Sequence, residues 1–334
     1  MILEVWQGKR LRAVFSDVWQ IRGLEVLCEK AKVQRCGGEM RTGVEASDSP
    51  KKDSTEINQR QRKEKTEGER VRTVSVRVID GEGLGGVRQA MSLRTDYDAW
   101  HQRIYEAAPE HEDASSPWYR LVREHLGSVS GLRVLEVACG RGGFVRELAR
   151  AGARVIGCDF SSSALHAAAT KVFNSNGHPP LATLIQGDAQ SLPFADASFD
   201  LVVSCETIEH LPQVLAAIRE MHRVTRPGGK LFLTTPNYAN FMGLYEIYAR
   251  FRHPGRKDDQ PFDRRQWFLQ IRKWIRQAGW TILLSDGTVH QFPFFPGRNP
   301  VRWEALEANR ALRKVLSPLA YTYFIAAEKT EPAV

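Results

Sequence analysis

The stretch that decides the fold is Val134-Leu-Glu-Val-Ala-Cys-Gly-Arg-Gly-Gly-Phe-Val-Arg-Glu-Leu148. Its first part continues an apolar run that starts at Leu132, which is typical of a strand buried on both faces. The glycines then allow a sharp turn and a close approach of the backbone to a ligand. Phe144, Val145 and Leu148 follow at helical spacing, so a helix begins at the turn. Its free N–H groups predict a site for a polar or anionic ligand group.

Two further strand-like runs follow, and each ends in an acid. The run Arg154-Val-Ile-Gly-Cys-Asp159 ends in a carboxylate that can accept hydrogen bonds from both hydroxyls of a ribose. The run Ala182-Thr-Leu-Ile-Gln-Gly-Asp188 has the same form. Strands alternate with helices along this part of the chain, which predicts a parallel sheet with helices on both faces.

The hydrophobic periodicity also gives approximate bounds for these elements. We expect strands near 132–137, 154–158, 181–187, 199–204, 229–235, 280–285 and 321–328. We expect helices near 117–126, 142–151, 161–174, 212–224, 264–278 and 301–316.

Four motifs, at residues 136–142, 155–159, 186–203 and 226–234, occur in an order that resembles the class I S-adenosylmethionine-dependent methyltransferases. The resemblance is to the small-molecule branch that includes the ubiquinone and menaquinone biosynthesis methyltransferases, and it extends over roughly residues 95–330. A single glycine turn is common without a ligand, whereas the ordered set is specific. The resemblance implies an α/β, Rossmann-like fold: a seven-stranded, mostly parallel sheet with one antiparallel strand and helices on both faces.

The resemblance also implies S-adenosyl-L-methionine as the cofactor and a set of positions that contact it. These cofactor-binding positions are Glu136, Ala138, Gly140, Gly142, Asp159, Phe160, Asp188, Ala189 and Cys205. On this interpretation the glycine turn passes the methionine part, Asp159 takes the ribose hydroxyls, Phe160 lies against adenine and Asp188 accepts from the adenine amino group. The alternative for Asp188 is a purely local role in a turn.

The sequence departs from the family pattern at Ala138, where the first glycine of the turn usually stands. Because alanine is small, we expect a slightly tighter pocket and not a lost one.

Methyl transfer requires the acceptor atom in line with the carbon–sulfur bond, and a base only if the acceptor must lose a proton. The segment Cys205-Glu-Thr-Ile-Glu-His210 follows the fourth strand of the motif set and should border the methyl group. Glu206 and His210 are therefore the candidate catalytic residues, and the alternative for both is a structural role. His253 and His290 are lone loop histidines, which we expect to be solvated. We predict no metal, because the fifth strand ends Thr234-Thr-Pro-Asn237 without the aspartates of metal-dependent enzymes.

We predict two parts in the chain. Residues 1–90 form a largely disordered extension, either dispensable or the product of a start codon placed too early, because 37–70 have almost no large apolar residue. A stray strand is expected at 71–79 and a glycine-rich break at 81–86. Residues 91–330 form the methyltransferase domain.

Within this domain the segment 96–106 resembles the family's N-terminal lid, whose aromatic side chains would face the cofactor: Tyr97, Trp100, His101 and Tyr105. The alternative is a helix that packs these aromatics on the core. Two insertions, at 236–263 and 286–320, leave from the carboxyl edge of the sheet and should form the acceptor pocket. In the first insertion Tyr238, Phe241, Tyr245 and Tyr248 recur at helical spacing, as a lid over the acceptor or as a core helix. These aromatics favour a small-molecule acceptor that is apolar or aromatic.

Composition restricts the partners and the compartment. The net charge of +8 is shared evenly between residues 1–90 and the remainder, so the sequence has no concentrated basic tract. We therefore expect no nucleic-acid partner. Five scattered cysteines indicate reduced thiols in the cytoplasm. The sequence has no apolar run of about 18 residues, so we predict no transmembrane helix. Oligomeric state has no signature here.

Three alternatives remain beside a small-molecule methyltransferase. A nucleic-acid methyltransferase is disfavoured because Ser204-Cys-Glu-Thr207 replaces the Asn/Asp-Pro-Pro-aromatic and Pro-Cys motifs of those enzymes. A non-catalytic protein that binds S-adenosylmethionine would keep the same acids and glycines. An NAD-dependent dehydrogenase would share the first turn but would not account for the segment at Asp188.

Overall fold

The computed structural model describes most of the chain from Leu84 onward and two short strands before it. The described residues are 2–6, 73–77, 84–107, 115–173, 181–253, 260–292, 301–302 and 304–330. The strands are β1 (Ile2–Trp6), β2 (Thr73–Arg77), β3 (Arg133–Val137), β4 (Arg154–Asp159), β5 (Ala182–Gln186), β6 (Phe199–Cys205), β7 (Thr225–Pro236), β8 (Thr281–Thr288), β9 (Gln291–Phe292), β10 (Val301–Arg302) and β11 (Thr322–Glu328). The helices are α1 (Leu84–Ala107), α2 (Pro117–Leu126), α3 (Gly143–Arg150), α4 (Ser162–Phe173), α5 (Val214–Val224), α6 (Phe241–Arg252), α7 (Phe268–Gln277), α8 (Glu304–Ala308) and α9 (Arg310–Val315).

The main sheet has the order β2-β1-β5-β4-β3-β6-β7-β11-β8. Strands β3 to β7 are parallel to one another, and β11 runs antiparallel between β7 and β8. The predicted seven-stranded, mostly parallel sheet with one antiparallel strand is confirmed. From β3, the strands β4 and β5 are added on one side and the strands β6 and β7 on the other. The strand order therefore switches between β3 and β6, and a ligand crevice is expected at the carboxyl ends of these two strands.

Both faces of the sheet are covered, as the continuous apolar strands predict. Successive residues of one strand point to opposite faces: Leu135 and Val202 pack in one buried cluster, whereas Val134 and Val203 pack in the other. Helices therefore lie on the two sides, and the polar groups of the site gather at the strand ends.

The two additional strands come from residues 1–90. Strand β1 pairs antiparallel with β5, and β2 pairs antiparallel with β1. The expected stray strand at 71–79 corresponds to β2, whereas β1 had no clear periodicity. The disorder expected over 37–70 lies outside the described residues.

Helix α1 is longer than expected and crosses the predicted domain boundary at residue 90. It begins at Leu84, inside the glycine-rich stretch 81–86 where a break was expected. Its central part is fixed by Asp98, whose carboxylate accepts hydrogen bonds from the Ser161 and Ser162 hydroxyls (2.7 and 3.1 Å) and the Ser163 N–H (3.2 Å). A carboxylate at this position satisfies the free donors at the start of α4.

The second insertion, 286–320, folds against the β8 edge of the sheet. The helix expected at 301–316 is interrupted at Asn309, whose side chain accepts from Leu312 N–H (3.1 Å) and starts α9. Arg313 on this helix donates to the buried Asp286 carboxylate (2.9 Å) and to Glu124 of α2. These contacts tie the insertion to the body of the domain.

Candidate active site

A cavity of about 540 Å³ opens at the carboxyl ends of β3 to β7. Its lining includes most of the positions expected to bind a ligand: Ala138, Gly140, Asp159, Phe160, Asp188, Ala189, Cys205, Glu206 and His210. The volume falls within the range of about 300–1,000 Å³ that is usual for small-molecule sites. Glu136 and Gly142 are not in this lining.

The turn after β3 has a left-handed backbone at Ala138 (φ +58°), Gly140 (φ +51°) and Gly142 (φ +70°). A left-handed conformation costs a non-glycine residue about 1–2 kcal/mol. Ala138 therefore occupies a conformation that glycine adopts more easily. Alanine at this position has a backbone cost, in addition to the slightly tighter pocket that was expected.

Glu136 and Gly142 support the turn from behind. A Cβ on Gly142 would lie 2.9 Å from Ala168 Cβ and 2.9 Å from Val172 Cγ2, so the absence of a side chain lets α4 pack against the turn. The buried Glu136 accepts a hydrogen bond from the Tyr119 hydroxyl (2.7 Å).

Asp159 joins the first turn to the second. One carboxylate oxygen accepts from Gly140 N–H (2.9 Å) and the other from Ser161 N–H (2.9 Å). Burial raises the pKa of Asp159, while His101 and the two N–H groups act in the opposite direction. Because a carboxylate has about four lone-pair sites, Asp159 keeps acceptor capacity toward the cavity.

Asp188 lines the cavity and also has a local role. Its carboxylate accepts from the backbone N–H (2.8 Å) and the side-chain amide (3.1 Å) of Gln190. The Gln190 amide oxygen in turn accepts from Gln213 N–H (2.8 Å). The turn role is thus compatible with a place in the cavity wall beside Ala189.

Helix α1 covers the cavity with the four aromatic residues that the sequence singled out: Tyr97, Trp100, His101 and Tyr105. Arg141, which follows the glycine turn, stacks on Tyr105 with 4.0 Å between its guanidinium carbon and the ring centre, and donates to the Ile104 carbonyl (3.3 Å). This helix was expected either to cover the cofactor or to pack on the core. In the structure its aromatic face lies over the cavity.

The opposite end of the cavity contains two carboxylates, the buried Glu209 and the half-buried Glu206, and Glu206 is the more strained of the two. Its backbone is left-handed (φ +48°), and one carboxylate oxygen has no hydrogen-bond partner among the described residues. Burial, and next the nearby charge of Glu209, raise the pKa of Glu206, while the Thr234 hydroxyl opposes them. Strain and an unsatisfied buried group together are typical of functional positions.

Glu209 is held more tightly. It accepts a hydrogen bond from the Thr235 hydroxyl (2.8 Å), which itself accepts from the Gln266 amide. Burial raises the pKa of Glu209, and His210 lowers it.

His210 lies between Glu209 and the first insertion. Its Nδ1 is 2.9 Å from the Phe262 carbonyl oxygen, so this nitrogen carries a proton. Its Nε2 is 3.5 Å from Glu209 Oε1. The Tyr97 hydroxyl of α1 donates to the same Phe262 carbonyl (2.9 Å). His210 is therefore oriented by a backbone carbonyl from the first insertion.

Two tyrosines complete this end, and one of them was not predicted. The hydroxyl oxygens of Tyr238 and Tyr321 lie 3.4 Å apart, and burial raises the pKa of both phenols, so both are neutral. Tyr321 lies in the apolar run of the last strand and carries no signal in the sequence. Glu209, Gln260 and Asp263 also line the cavity without having been singled out.

The insertions contribute less lining than expected. In the first, Tyr238 lines the cavity just before α6, but Phe241, Tyr248 and His253 are exposed, so the predicted lid face does not cover it. No described residue of 286–320 lines the cavity. His290 is buried and not solvated, with its backbone N–H donating to Glu307 (3.0 Å).

The described part of the chain has neither a metal-ligand cluster nor a membrane-spanning helix. It contains no group of three or more His, Cys, Asp or Glu side chains arranged as metal ligands. None of its helices is long and apolar enough to cross a membrane.

Residues 135–233 match the family model described as a methyltransferase domain. The chain is 36% identical over 175 residues to a demethylmenaquinone methyltransferase of Beutenbergia cavernae, covering 51% of this chain and 70% of that protein. It is 34% identical over 179 residues to a demethylmenaquinone methyltransferase of Renibacterium salmoninarum, covering 49% of this chain and 73% of the relative.

Two solved structures share the fold. A methyltransferase from Haloferax volcanii, in complex with the Trm112 methyltransferase activator, has a TM-score of 0.51 at 18% identity and covers 72% of this chain and 99% of its own. The Haemonchus contortus phosphoethanolamine N-methyltransferase 2, with phosphomonomethylethanolamine and S-adenosylhomocysteine, has a TM-score of 0.52 at 17% identity and covers 78% and 64%.

Proposed function

Because the chain belongs to the class I S-adenosylmethionine-dependent methyltransferases, we propose that it methylates a small ring acceptor of the hydroquinone type, with Glu206 as the base. The chain is an enzyme, its cofactor is S-adenosyl-L-methionine, and its acceptor is a small molecule. The class of acceptor and the roles of individual residues are the proposal.

The residues at one end of the cavity fit the cofactor. Asp159 retains acceptor capacity for ribose hydroxyls, Asp188 and Phe160 flank the space for adenine, and the turn at Ala138 and Gly140 has no side chain larger than a methyl group. The cofactor supplies an electrophilic methyl group on a sulfonium. The chain's part is to hold the acceptor in line with that methyl and to exclude water.

The observation that carries the proposal is the state of Glu206. It is a half-buried residue in the cavity wall, on a strained backbone, with one buried carboxylate oxygen that lacks a hydrogen-bond partner among the described residues. A hydroxyl of the acceptor would satisfy this oxygen. The raised pKa of Glu206 brings its basicity closer to that of a phenolic oxygen, which makes it a better base near neutral pH.

In the proposed reaction Glu206 takes the hydroxyl proton of the acceptor, which makes the adjacent ring carbon nucleophilic. That carbon forms a bond to the methyl carbon as the carbon–sulfur bond breaks. The hydrogen that the ring carbon carried then leaves as a proton, and Glu206 returns the first proton to the oxygen. Glu209, whose Oε1 lies 3.5 Å from His210 Nε2, is the neighbouring carboxylate at this end.

Several features support a flat, largely apolar acceptor. The lining is rich in aromatic side chains, and the Tyr238 and Tyr321 phenols are neutral, so they can hydrogen-bond to a ring oxygen without adding charge. The names of the two bacterial relatives refer to demethylmenaquinone, a quinone.

A protonated amine is the second candidate acceptor, because two carboxylates in an aromatic-lined cavity also favour a cation. The two candidates differ in their need for a base. A protonated amine must be deprotonated before it reacts, whereas a reduced quinone needs a base only for its hydroxyl, and an oxidised quinone is inert as a nucleophile.

The test is a purified-enzyme assay with S-adenosyl-L-methionine and a panel of acceptors. The panel contains short-chain demethylmenaquinone in its reduced and oxidised forms, primary and tertiary amines, and a mixed RNA and DNA sample. The expected result is S-adenosylhomocysteine formation and a mass gain of one methyl with the reduced quinone alone. Turnover of an amine or of nucleic acid, without turnover of the reduced quinone, would overturn the proposal.

The location in the cytoplasm belongs to the same proposal and is supported by the free thiols of Cys139, Cys158 and Cys205. Fractionation of cells after lysis, with the protein followed by antibody, tests it. Recovery from an oxidising compartment would contradict it.

A further inference from the structure

Helix α6 has its large apolar side chains on the outside. Leu244, Ile247 and Phe251 are 62%, 68% and 87% exposed, and Tyr248 is also exposed. These four residues stand at the spacing i, i+3, i+4 and i+7, so they form one continuous stripe. A surface helix of a globular protein normally turns such a stripe to the core, and here the orientation is reversed. We call these four residues the α6 stripe.

The orientation of α6 is fixed by the small residues on its other side. Gly243 and Ala249 are buried, and a Cβ on Gly243 would lie 1.8 Å from the Tyr238 carbonyl oxygen. At the N-terminus, Asn240 accepts from Gly243 N–H (3.1 Å) and donates to the carbonyl oxygens of Asn237 (2.7 Å) and Ala320 (2.9 Å). Rotation of the helix to bury the α6 stripe would break both the close approach and the cap.

Basic residues flank the α6 stripe. With about 100° between successive residues of a helix, Arg252 projects beside one border of the stripe and Arg250 beyond the other. Both are exposed, and the sequence continues with Arg256 and Lys257. An outward apolar stripe with basic residues at its borders is the pattern of a helix that lies in the interface of an anionic bilayer.

We propose that the α6 stripe is a docking surface for the headgroup and acyl boundary of an anionic lipid bilayer. The inference goes beyond the proposed reaction, since it requires neither cofactor nor acceptor. The position of the helix gives it a use: its first turn packs on Tyr238, which lines the cavity. A bilayer bound at α6 would lie beside the acceptor end of the cavity, where an acceptor dissolved in lipid could enter.

A second copy of the chain is the other occupant that the stripe could bind. A twofold contact through the same face would bring the flanking arginines of both copies together. Anionic headgroups neutralise these charges instead. The charge pattern therefore favours the bilayer.

The experiment is co-sedimentation of the full chain with vesicles of phosphatidylcholine, with or without phosphatidylglycerol. Ile247→Ser and Phe251→Ser remove apolar area from the stripe. The matched control is Leu181→Ser, which removes a 54% exposed leucine just before β5. This leucine lies at the amino end of the parallel strands, whereas α6 follows the carboxyl end of β7. Arg252→Glu reverses a flanking charge, and Arg154→Glu is its control at the amino end of β4.

We expect the unmodified chain to bind the anionic vesicles and to bind the neutral ones more weakly. Combining Ile247→Ser with Phe251→Ser should weaken vesicle binding by about tenfold or more, since each side chain that becomes buried contributes appreciably. Arg252→Glu should weaken binding by about fivefold or more on anionic vesicles, with little effect on neutral ones. The two controls should bind like the unmodified chain, and all variants should keep their melting temperature.

Three results would overturn the proposal. The first is no binding of the unmodified chain to either vesicle. The second is a dimer in light scattering that the stripe variants dissociate, which would make the face an interface between copies. The third is a large fall in melting temperature for the stripe variants, which would mean that the stripe packs within the chain. The measurement omits the acceptor, so its outcome is independent of the acceptor assay.

Discussion

The two ends of the cavity differ in how their carboxylates are satisfied. At the cofactor end both oxygens of Asp159 accept backbone N–H groups, from Gly140 and Ser161. At the acceptor end one oxygen of Glu206 has no partner among the described residues, and its pKa is raised first by burial. On the proposed function, the first carboxylate would organise the backbone around the cofactor, which is the same in every turnover. The second would be available to the acceptor, a group that changes during the reaction.

Because of this difference, substitutions at the two ends should have different effects. Hydrogen bonds to Asp159 hold two turns in position, so its loss should affect binding and local structure together. Removal of the charge at Glu206 should cost catalysis while it relieves a buried, poorly solvated group. Substitutions at the two ends can separate these two behaviours.

Glu206→Gln should have the largest effect. We expect turnover to fall by about 100- to 10,000-fold, the usual contribution of a positioned base. The affinity for S-adenosylhomocysteine should be unchanged. The free energy of unfolding at neutral pH should rise, because a carboxyl whose pKa is raised on folding loses its stabilising effect as pH rises from its unfolded-state pKa to its folded-state pKa.

The measurements are steady-state kinetics, calorimetry and chemical denaturation on the same preparation. Lower stability together with normal turnover would assign Glu206 to the fold alone and make the two ends of the cavity equivalent.

Asp159→Ala should weaken binding of S-adenosylhomocysteine by at least about tenfold, because a charge-assisted hydrogen bond contributes about 1.5–3 kcal/mol and 1.4 kcal/mol is tenfold. Calorimetry measures the affinity. Asp196→Ala, which removes an exposed carboxylate at a surface ion pair, is the control for net charge and should bind normally. Unchanged affinity in Asp159→Ala would remove this residue from the cofactor end.

Glu209→Gln should shift the pH dependence of turnover. The carboxylate form of Glu206 is the active form, so activity should be lost as pH falls through its raised pKa. The Glu209 charge is the second cause of that rise, so its removal should lower the pKa of Glu206 and extend activity to lower pH. An unshifted kcat profile would show that the two carboxylates act independently.

Ala138→Gly should have the smallest effect. Glycine relieves the left-handed backbone strain of about 1–2 kcal/mol, while its greater freedom in the unfolded chain costs about 0.5–1 kcal/mol. The free energy of unfolding should rise by about 1 kcal/mol or less in chemical denaturation, and cofactor affinity should not fall. A loss of stability in Ala138→Gly would mean that the Ala138 methyl group makes contacts that outweigh the strain.

The cofactor end was predictable because its determinants are local. The strand, the turn and the helix start at Ala138 to Phe144 follow from periodicity and glycine positions over a few residues, and the acids at 159 and 188 stand at strand ends. The helix at 117–126 has the predicted bounds, since Pro117 and Gly127 mark its two ends.

The acceptor end was only partly predictable because distant segments form it. The hydrogen bond from Tyr97 to Phe262 spans 165 residues, and Tyr321 immediately precedes β11, in an apolar run whose pattern indicates burial alone. The lid or core face expected from Phe241, Tyr245 and Tyr248 was inferred from their helical spacing, yet the small residues Gly243 and Ala249 determine which face of α6 packs inward. Periodicity shows which residues share a helix face, but not what that face packs against.

Tyr97 and Asp98 are adjacent in α1, yet their side chains are tied to different ends of the cavity. Asp98 accepts from the Ser161 hydroxyl, and the Ser161 N–H donates to Asp159; Tyr97 donates to the Phe262 carbonyl, which also accepts from His210. A ligand that orders either end therefore orders the same helix, and the second ligand meets less unfavourable entropy. The coupling must be reciprocal, so the factor by which cofactor tightens acceptor binding equals the factor by which acceptor tightens cofactor binding.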